Sequence, residues 1–256
     1  MEKVNVICLK WGDRYPAFFV NRLYAGVRDH LHRPFRFVCV TDDPTGLADG
    51  VEAVAFPAPP EGWRRSWPHI YVKLLLFRDG LASLEGPTLF LDLDVVIVDD
   101  IDCFFDYRPG EFCIIHNWVE RRKQLFRRPP PIGNSSMFRF EAGKSGTVYD
   151  EFFSDMERAT NRKLFRTEQA FMTYAVRQRL GTVNWWPDEW VRSFKRHSQR
   201  IFPLNLFLPP KLPPRVKVLV FHGKPDPDEA IAGYRGKRVH QHTLPAPWVR
   251  DLWCRD

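Results

Sequence analysis

The sequence predicts an α/β layered protein with a largely parallel sheet, on three observations. Short apolar, β-branched runs alternate with segments whose apolar residues recur at helical spacing. The 256 residues are 44% hydrophobic and 27% charged, which supplies a sizeable core and excludes disorder as the main state. No internal repeat, low-complexity tract or long linker divides the chain, so one domain over residues 1–256 is expected.

The elements follow in order. Val4 to Leu9 reads as a strand, and Tyr15 to Leu31 as a helix on Phe18, Phe19, Leu23 and Val27. Phe35 to Val40 is a second strand, ended by the turn chemistry of Thr41-Asp42-Asp43-Pro44-Thr45-Gly46. Val51 to Phe56 is a third strand, stopped by Pro57, Pro59 and Pro60, and Ile70 to Phe77 is helical, closing near Gly80. Thr88 to Val98 (TLFLDLDVVIV) is the most strand-like segment of the chain, interrupted by two acids. Phe112 to His116 and Met137 to Phe140 are further strands, the latter after a loop from Pro129 to Asn134. Thr147 to Ala159 and Glu168 to Arg179 are expected as helices and Val216 to Phe221 as a last strand, with a basic, loop-like tail beyond.

The formal charge is +7, and 13 of the 38 Lys+Arg against seven of the 31 Asp+Glu fall between Asp188 and Asp256. The basicity is therefore a property of the C-terminal quarter. Such a patch attracts phosphate of any kind: nucleic acid, anionic lipid or the diphosphate of a small ligand. The five cysteines form no CxxC pair, and an odd number leaves one over from any disulfide set. Reduced, mostly buried thiols are expected. The start runs into a strand pattern instead of a signal sequence, and no apolar run approaches the roughly 18 residues that span a bilayer. A cytoplasmic protein is expected, with peripheral contact at the inner membrane face an open alternative.

Asp92-Leu93-Asp94 interrupts the apolar run. Side chains two apart share one face of a strand, so the carboxylates are expected to project together. Paired like charges at an apolar layer call for a proton or a cation, and oxygen ligands suit Mg²⁺ or Mn²⁺ shared with substrate phosphates. A strand running out into solvent is the plain alternative. Asp99, Asp100 and Asp102, just beyond, are expected in a solvated turn. His222 and Lys224 follow the last strand, where ligands of open α/β sheets gather. A neutral imidazole can ligate a metal and an ammonium can meet phosphate, although a turn histidine is the commoner role.

These residues together resemble the GT-A nucleotide-sugar glycosyltransferases, in particular glycosyltransferase family 8. Phe90-Leu91-Asp92-Leu93-Asp94-Val95-Val96 looks like the DxD strand of that fold, and Tyr71-Val72-Lys73-Leu74-Leu75 resembles the Lys-Leu helix before it. Asn134-Ser135-Ser136-Met137 is similar to the Asn-Ser-Gly turn, Glu168-Gln169 to the acid-Gln pair of a later helix, and His222 to Pro225 to the closing His, Gly, Lys and Pro element. The matches keep the family's order from Val4 to Pro225. Ser136 replaces a Gly, Glu168 stands where Asp is common, and the closing element is compressed.

The resemblance implies a UDP-sugar donor and Mn²⁺ or Mg²⁺ on Asp92, Asp94 and His222. It implies that Lys224 neutralises the diphosphate, that Lys73 and Asn134 hold the donor, and that Glu168 or Gln169 lies near the anomeric carbon. Transfer with retention to a glycan, lipid-linked or other hydroxyl acceptor follows, with a donor half of about residues 1–110 and an acceptor half of about 111–256. In the first loop, Trp11 is a candidate to stack on the base, with Asp13 or Tyr15 at its edge, or else a loop aromatic folded onto the core. Thr41-Asp42-Asp43 reads as a turn cap. Trp63, Trp67, Trp185, Trp186 and Trp190 lie in loop-like stretches where sugar rings could stack on them, but most read as packing. Arg121, Arg122, Lys123, Arg127 and Arg128 read as a solvated face or an acceptor-covering lid.

Two other classes compete. A phosphohydrolase also uses Asp-x-Asp, but expects small residues after the second acid, where Val95-Val96 stands. A basic module binding RNA or anionic membrane explains the charge and leaves the acid pair without purpose; nucleic acid is the disfavoured partner.

Overall fold

The structure is a computed structural model and describes residues 3–58, 69–118 and 131–254. β1 (Val4–Lys10) is buried along its whole length. Val4, Val6 and Cys8 enter one core while Ile7 and Leu9 enter the other, the two-residue alternation of a strand covered on both faces. α1 (Ala17–His30) buries Phe19, Val20, Leu23 and Val27 on one stripe. β2 (Phe35–Thr41) and β3 (Glu52–Ala55) then add in parallel beside β1.

The expected strand from Thr88 to Val98 is two strands. β4 (Gly86–Leu91) lies parallel to β1, and β5 (Val95–Ile97) belongs to a different sheet. Asp92 to Asp94 form the turn between them. α2 (Cys103–Asp106), β6 (Cys113–His116) and β7 (Gly133–Ala142) follow. β7 therefore begins four residues before the expected Met137, so Asn134 lies in a strand and not in a loop. β8 (Asn184–Trp185) and β9 (Val191–Ser193) come later, in a stretch with no expected strand, and β10 (Val218–Val220) is the last.

The central sheet runs β3-β2-β1-β4-β7-β6-β8, parallel except where β7 pairs antiparallel with β4 and β6. A second sheet runs β5-β10-β9. This is a mixed, mostly parallel α/β fold. One core lies between the large sheet, α1 and the small sheet; the other lies under the 3₁₀-wound segment His69–Phe77, α3 (Gly146–Ser154) and α5 (Glu168–Arg179). The helix expected from Thr147 to Ala159 is broken at Asp155, whose side chain accepts from Arg158 N at 3.0 Å and starts the short α4 (Met156–Ala159). The tail is not all loop. It carries α6 (Pro227–Ala232), opened by an Asp226/Glu229 capping box, and α7 (Trp248–Trp253).

Arg139 on β7 is fully buried without a carboxylate among its hydrogen-bond partners. Its guanidinium donates to the carbonyl oxygens of Phe104 (2.5 Å), Phe105 (3.3 Å), Tyr107 (2.7 Å), Arg108 and Glu111 (2.9 Å). One cation thus satisfies the carboxyl end of α2 and the turn after it. The five cysteines are free, with Cys8, Cys39 and Cys113 buried. Among the described residues, no helix is long and apolar enough to cross a membrane.

Asp99, Asp100 and Asp102 form more than a solvated turn. Asp102 accepts from Arg33 Nε at 2.6 Å and from His32 N at 3.0 Å. Burial raises its carboxyl, but these bonds outweigh burial and hold it below its ordinary range. Thr41 and Asp43 do cap a turn, through Thr45 N to Asp43 Oδ1 at 2.9 Å and Asp43 N to Thr41 Oγ1 at 3.1 Å. Trp186 packs on Phe104 and Tyr107 in the core. Trp63, Trp67, Arg121, Arg122, Lys123, Arg127 and Arg128 lie outside the described residues.

Candidate active site

Two structural irregularities build the site. The first is the break after Leu91, which takes the chain out of the large sheet and turns it at Asp92-Leu93-Asp94 before β5 joins the small one. Leu93 is buried, while Asp92 and Asp94 are partly exposed on either side of it. The second is a wide bulge in β7: Ile114 pairs with Phe138, but the next residue, Ile115, pairs with Asn134. The extra residues throw Asn134-Ser135-Ser136 toward the same end of the sheet, where Ser136 O accepts from Asp92 N at 2.9 Å.

A cavity of about 740 Å³ opens there. It is lined by Lys73, Asp92, Asp94, Asn134, Glu168, Gln169 and His222, so seven of the ten expected site residues meet in one space. Trp11 lines an adjoining cavity with Tyr15, Lys73, Asp92 and Asp94, and Asp13 lies farther out, beside Asp42. Lys224 is not on the cavity wall. Its ammonium is held by Asp226 at 2.8 Å and Glu229 at 2.7 Å, and these bonds raise its pKa. Arg14, Trp118, Ser135, Arg162 and Arg166 also line the main cavity, and sequence reasoning assigned them no place there. Of these, Ser135 and Arg14 carried a signal, through the Asn134–Met137 turn and the first loop from Lys10 to Tyr15 in which they stand.

The acid pair already has one counter-charge. Lys73, 3% exposed, sits 2.7 Å from Asp92 Oδ1 and donates to Ser135 O at 3.1 Å. Asp94 is less well served: Tyr15 OH donates to Oδ2 at 3.4 Å, and Oδ1 is sealed from solvent with no hydrogen-bond partner. Burial, then the neighbouring Asp92, pushes the Asp94 carboxyl up to about 8. His222 follows the end of β10 in the small sheet, with Nε2 2.7 Å from Ser193 Oγ and Trp118 stacked on its ring. Burial, helped by Lys195 and Arg196, lowers its pKa to about 4, so the imidazole is neutral and able to ligate. Glu168 is buried and raised by that burial; Ser135 Oγ donates to it, and Gln169 Oε1 accepts from Ser135 N at 3.2 Å.

Two carboxyl groups and a neutral imidazole could hold Mn²⁺ or Mg²⁺, and the unpartnered Asp94 Oδ1 is the observation that fits such an ion. Asp92, Asp94 and His222 are not drawn together to coordination range. Among the described residues, the one trio with ligand atoms within 4.8 Å of one another is His32, Asp100 and Asp102. That trio lies outside the cavity, and Arg33 already pairs with Asp102.

No protein-family profile matches the chain, and no curated protein matches its sequence. Solved structures match its fold. The galactosyltransferase LgtC, solved with donor and acceptor sugar analogs, aligns at TM-score 0.59 and 16% identity over 87% of this chain and 88% of its own. The bifunctional glycosyltransferase WbbM aligns at 0.56 and 15%, and GlyE of Streptococcus pneumoniae TIGR4 at 0.55 and 12%, each over 88% of this chain. The chain spans about half of those two proteins, 46% and 56% of their lengths. With its switch from a large sheet to a small one at Asp92–Asp94 and its cavity at the strand ends, the chain has the GT-A fold and in it resembles the family 8 glycosyltransferases.

Proposed function

We propose that the chain is a metal-dependent glycosyltransferase that moves a sugar from a UDP-sugar to a glycan or other hydroxyl acceptor, with retention as the family 8 resemblance implies. The observation that carries the reading is the convergence of Lys73, Asp92, Asp94, Asn134, Glu168, Gln169 and His222 on one cavity, from five separate stretches of chain and both sheets. A basic binding module gives no account of such a gathering.

Asp92, Asp94 and His222 would hold the divalent cation, which when bound offsets the charge that builds on the departing diphosphate oxygen. Lys73, buried and pinned between Asp92 and Ser135 O, fixes Asp92 and supplies a permanent positive charge at the cavity floor. Arg14 adds a second cation between the two adjoining cavities, where a nucleoside diphosphate crosses from one to the other. Trp11 offers the base a flat apolar face in the smaller cavity. Ser135, held from both sides by Glu168 and Gln169, locks the pair in place, so their polar atoms are oriented before substrate arrives.

The test is UDP binding by calorimetry with and without Mn²⁺, followed by a screen of UDP-sugars for metal-dependent hydrolysis. Mn²⁺-dependent UDP binding and turnover of one sugar are expected. Failure to bind any nucleoside diphosphate would overturn the reading.

A further inference from the structure

We propose that the loop from Arg200 to Leu212 is a membrane-docking crest, which inserts apolar side chains into the headgroup region of an anionic bilayer. Nine large apolar side chains are exposed among the described residues, and six of them lie between Ile201 and Leu212. Ile201 is 78% exposed, Phe207 72% and Phe202 56%, with Leu204, Leu208 and Leu212 beside them. A folded surface scatters such residues singly; a concentration of this kind marks an interaction surface.

The crest is held in shape. Asn205, buried at its centre, donates to Val239 O at 3.0 Å and His242 O at 2.9 Å. Arg200 Nε donates to Pro209 O at 3.1 Å, Lys211 N to Ser198 O at 3.1 Å and Trp248 Nε1 to Pro210 O at 3.2 Å. These bonds spend the polar groups of the loop on its base and leave its apolar side chains outward. Val239, itself 51% exposed, extends the patch to the neighbouring strap.

Charge selects the occupant. From Glu189 to Asp226 the chain has no intervening acid and eight Lys or Arg. Lys211 in the crest, Arg215 just after it, and Lys195 and Arg196 in the turn just before it are all exposed. Aliphatic side chains ringed by cations match a bilayer, where the hydrocarbon boundary takes the former and anionic headgroups the latter. A nucleic acid has no place for Ile201, Leu204, Leu208 and Leu212. A second copy of the same crest would bring like charges face to face. The crest grows out of the turn Phe194–Ser198, next to the Ser193 that bonds His222, so docking and the cavity share one piece of chain. The inference stands on exposure and charge alone and does not rest on the glycosyltransferase reading.

The experiment is flotation of the full chain with vesicles of phosphatidylcholine alone or mixed with phosphatidylglycerol. Binding to the mixed vesicles is expected, weakening as salt is raised. The double variant Phe202→Ser/Phe207→Ser should lower vesicle partitioning at least about tenfold, with an unchanged thermal midpoint. Lys211→Glu/Arg215→Glu should lower it about tenfold on anionic vesicles. Three results would overturn the proposal: wild-type protein that stays off anionic vesicles, a phenylalanine double variant that binds them equally well, or a wild-type dimer in size-exclusion chromatography that this variant converts to monomer.

Discussion

Asp94→Asn should stabilise the metal-free protein while removing its response to metal. In the folded protein the Asp94 carboxyl is pushed up to about 8, first by burial and then by Asp92, whereas in the unfolded chain it titrates near 3.9. A raised carboxyl means that the folded state keeps its proton longer than the unfolded one. Stability therefore falls as pH climbs through the window between about 4 and about 8. At about pH 7 some three units of that window have been crossed, a cost of about 4 kcal/mol. Asparagine keeps the shape and removes the titration, but its buried amide lacks an acceptor and returns about 2 kcal/mol of cost. The net gain of about 2 kcal/mol should raise the thermal midpoint of chelator-treated protein by about 4–8 °C near neutrality. The sign should reverse below about pH 4, where Asp94 is protonated in both states and only the amide's cost is left. Thermal or urea unfolding across that pH range reads both limbs, and Mn²⁺-dependent UDP binding should be lost in the variant. A midpoint that drops near neutrality, or a pH slope equal to that of wild type, refutes the reasoning.

Other perturbations follow from the same geometry. Arg139→Lys replaces a guanidinium that reaches five carbonyls with an ammonium of three donors; Arg108 O keeps Glu111 N, so at least one other carbonyl stays unsatisfied, and a loss of about 2–5 kcal/mol is expected in urea unfolding. Gln169→Ala removes an oriented amide from the cavity wall and should lower UDP-sugar turnover about 10²-fold at an unchanged thermal midpoint. Lys224→Ala should leave donor affinity within about threefold and cost less than about 1 kcal/mol of stability, because its half-exposed ammonium is already taken by Asp226 and Glu229. A tenfold loss of affinity in calorimetry would mean that Lys224 exchanges those carboxylates for the diphosphate.

The long elements were legible because each depends on its own residues. β1, α1, β2 and α5 are fixed by local apolar spacing, and the structure has them within a residue or two of the expected ends. The order of short motifs made the meeting of seven of the ten candidate residues in one cavity legible, but not the geometry of the acid pair. Asp92 and Asp94 meet in one cavity because the chain turns between two sheets, and not because they share a strand face. Sheet membership is a nonlocal property, and a run that is apolar on both sides of a turn carries no local mark of the change. β8 and β9, of two and three residues, are too short to show periodicity. The bulge in β7 is set by its partner β6, and Lys224 by the capping box that opens α6; neither partner is identifiable from the motif alone.

The division into two sheets also sets when the site can exist. β5 is made early in synthesis, but its partner β10 arrives over a hundred residues later. A growing chain that has reached β8 holds every strand of the large sheet and both Asp92 and Asp94, but β5 still lacks its partner β10, and β9 and His222 are not yet made. Contacts so distant along the chain close slowly and last. The cavity is therefore closed only when the final stretch is folded, and a chain truncated before β9 would have the large sheet's strands without β5's partner or His222.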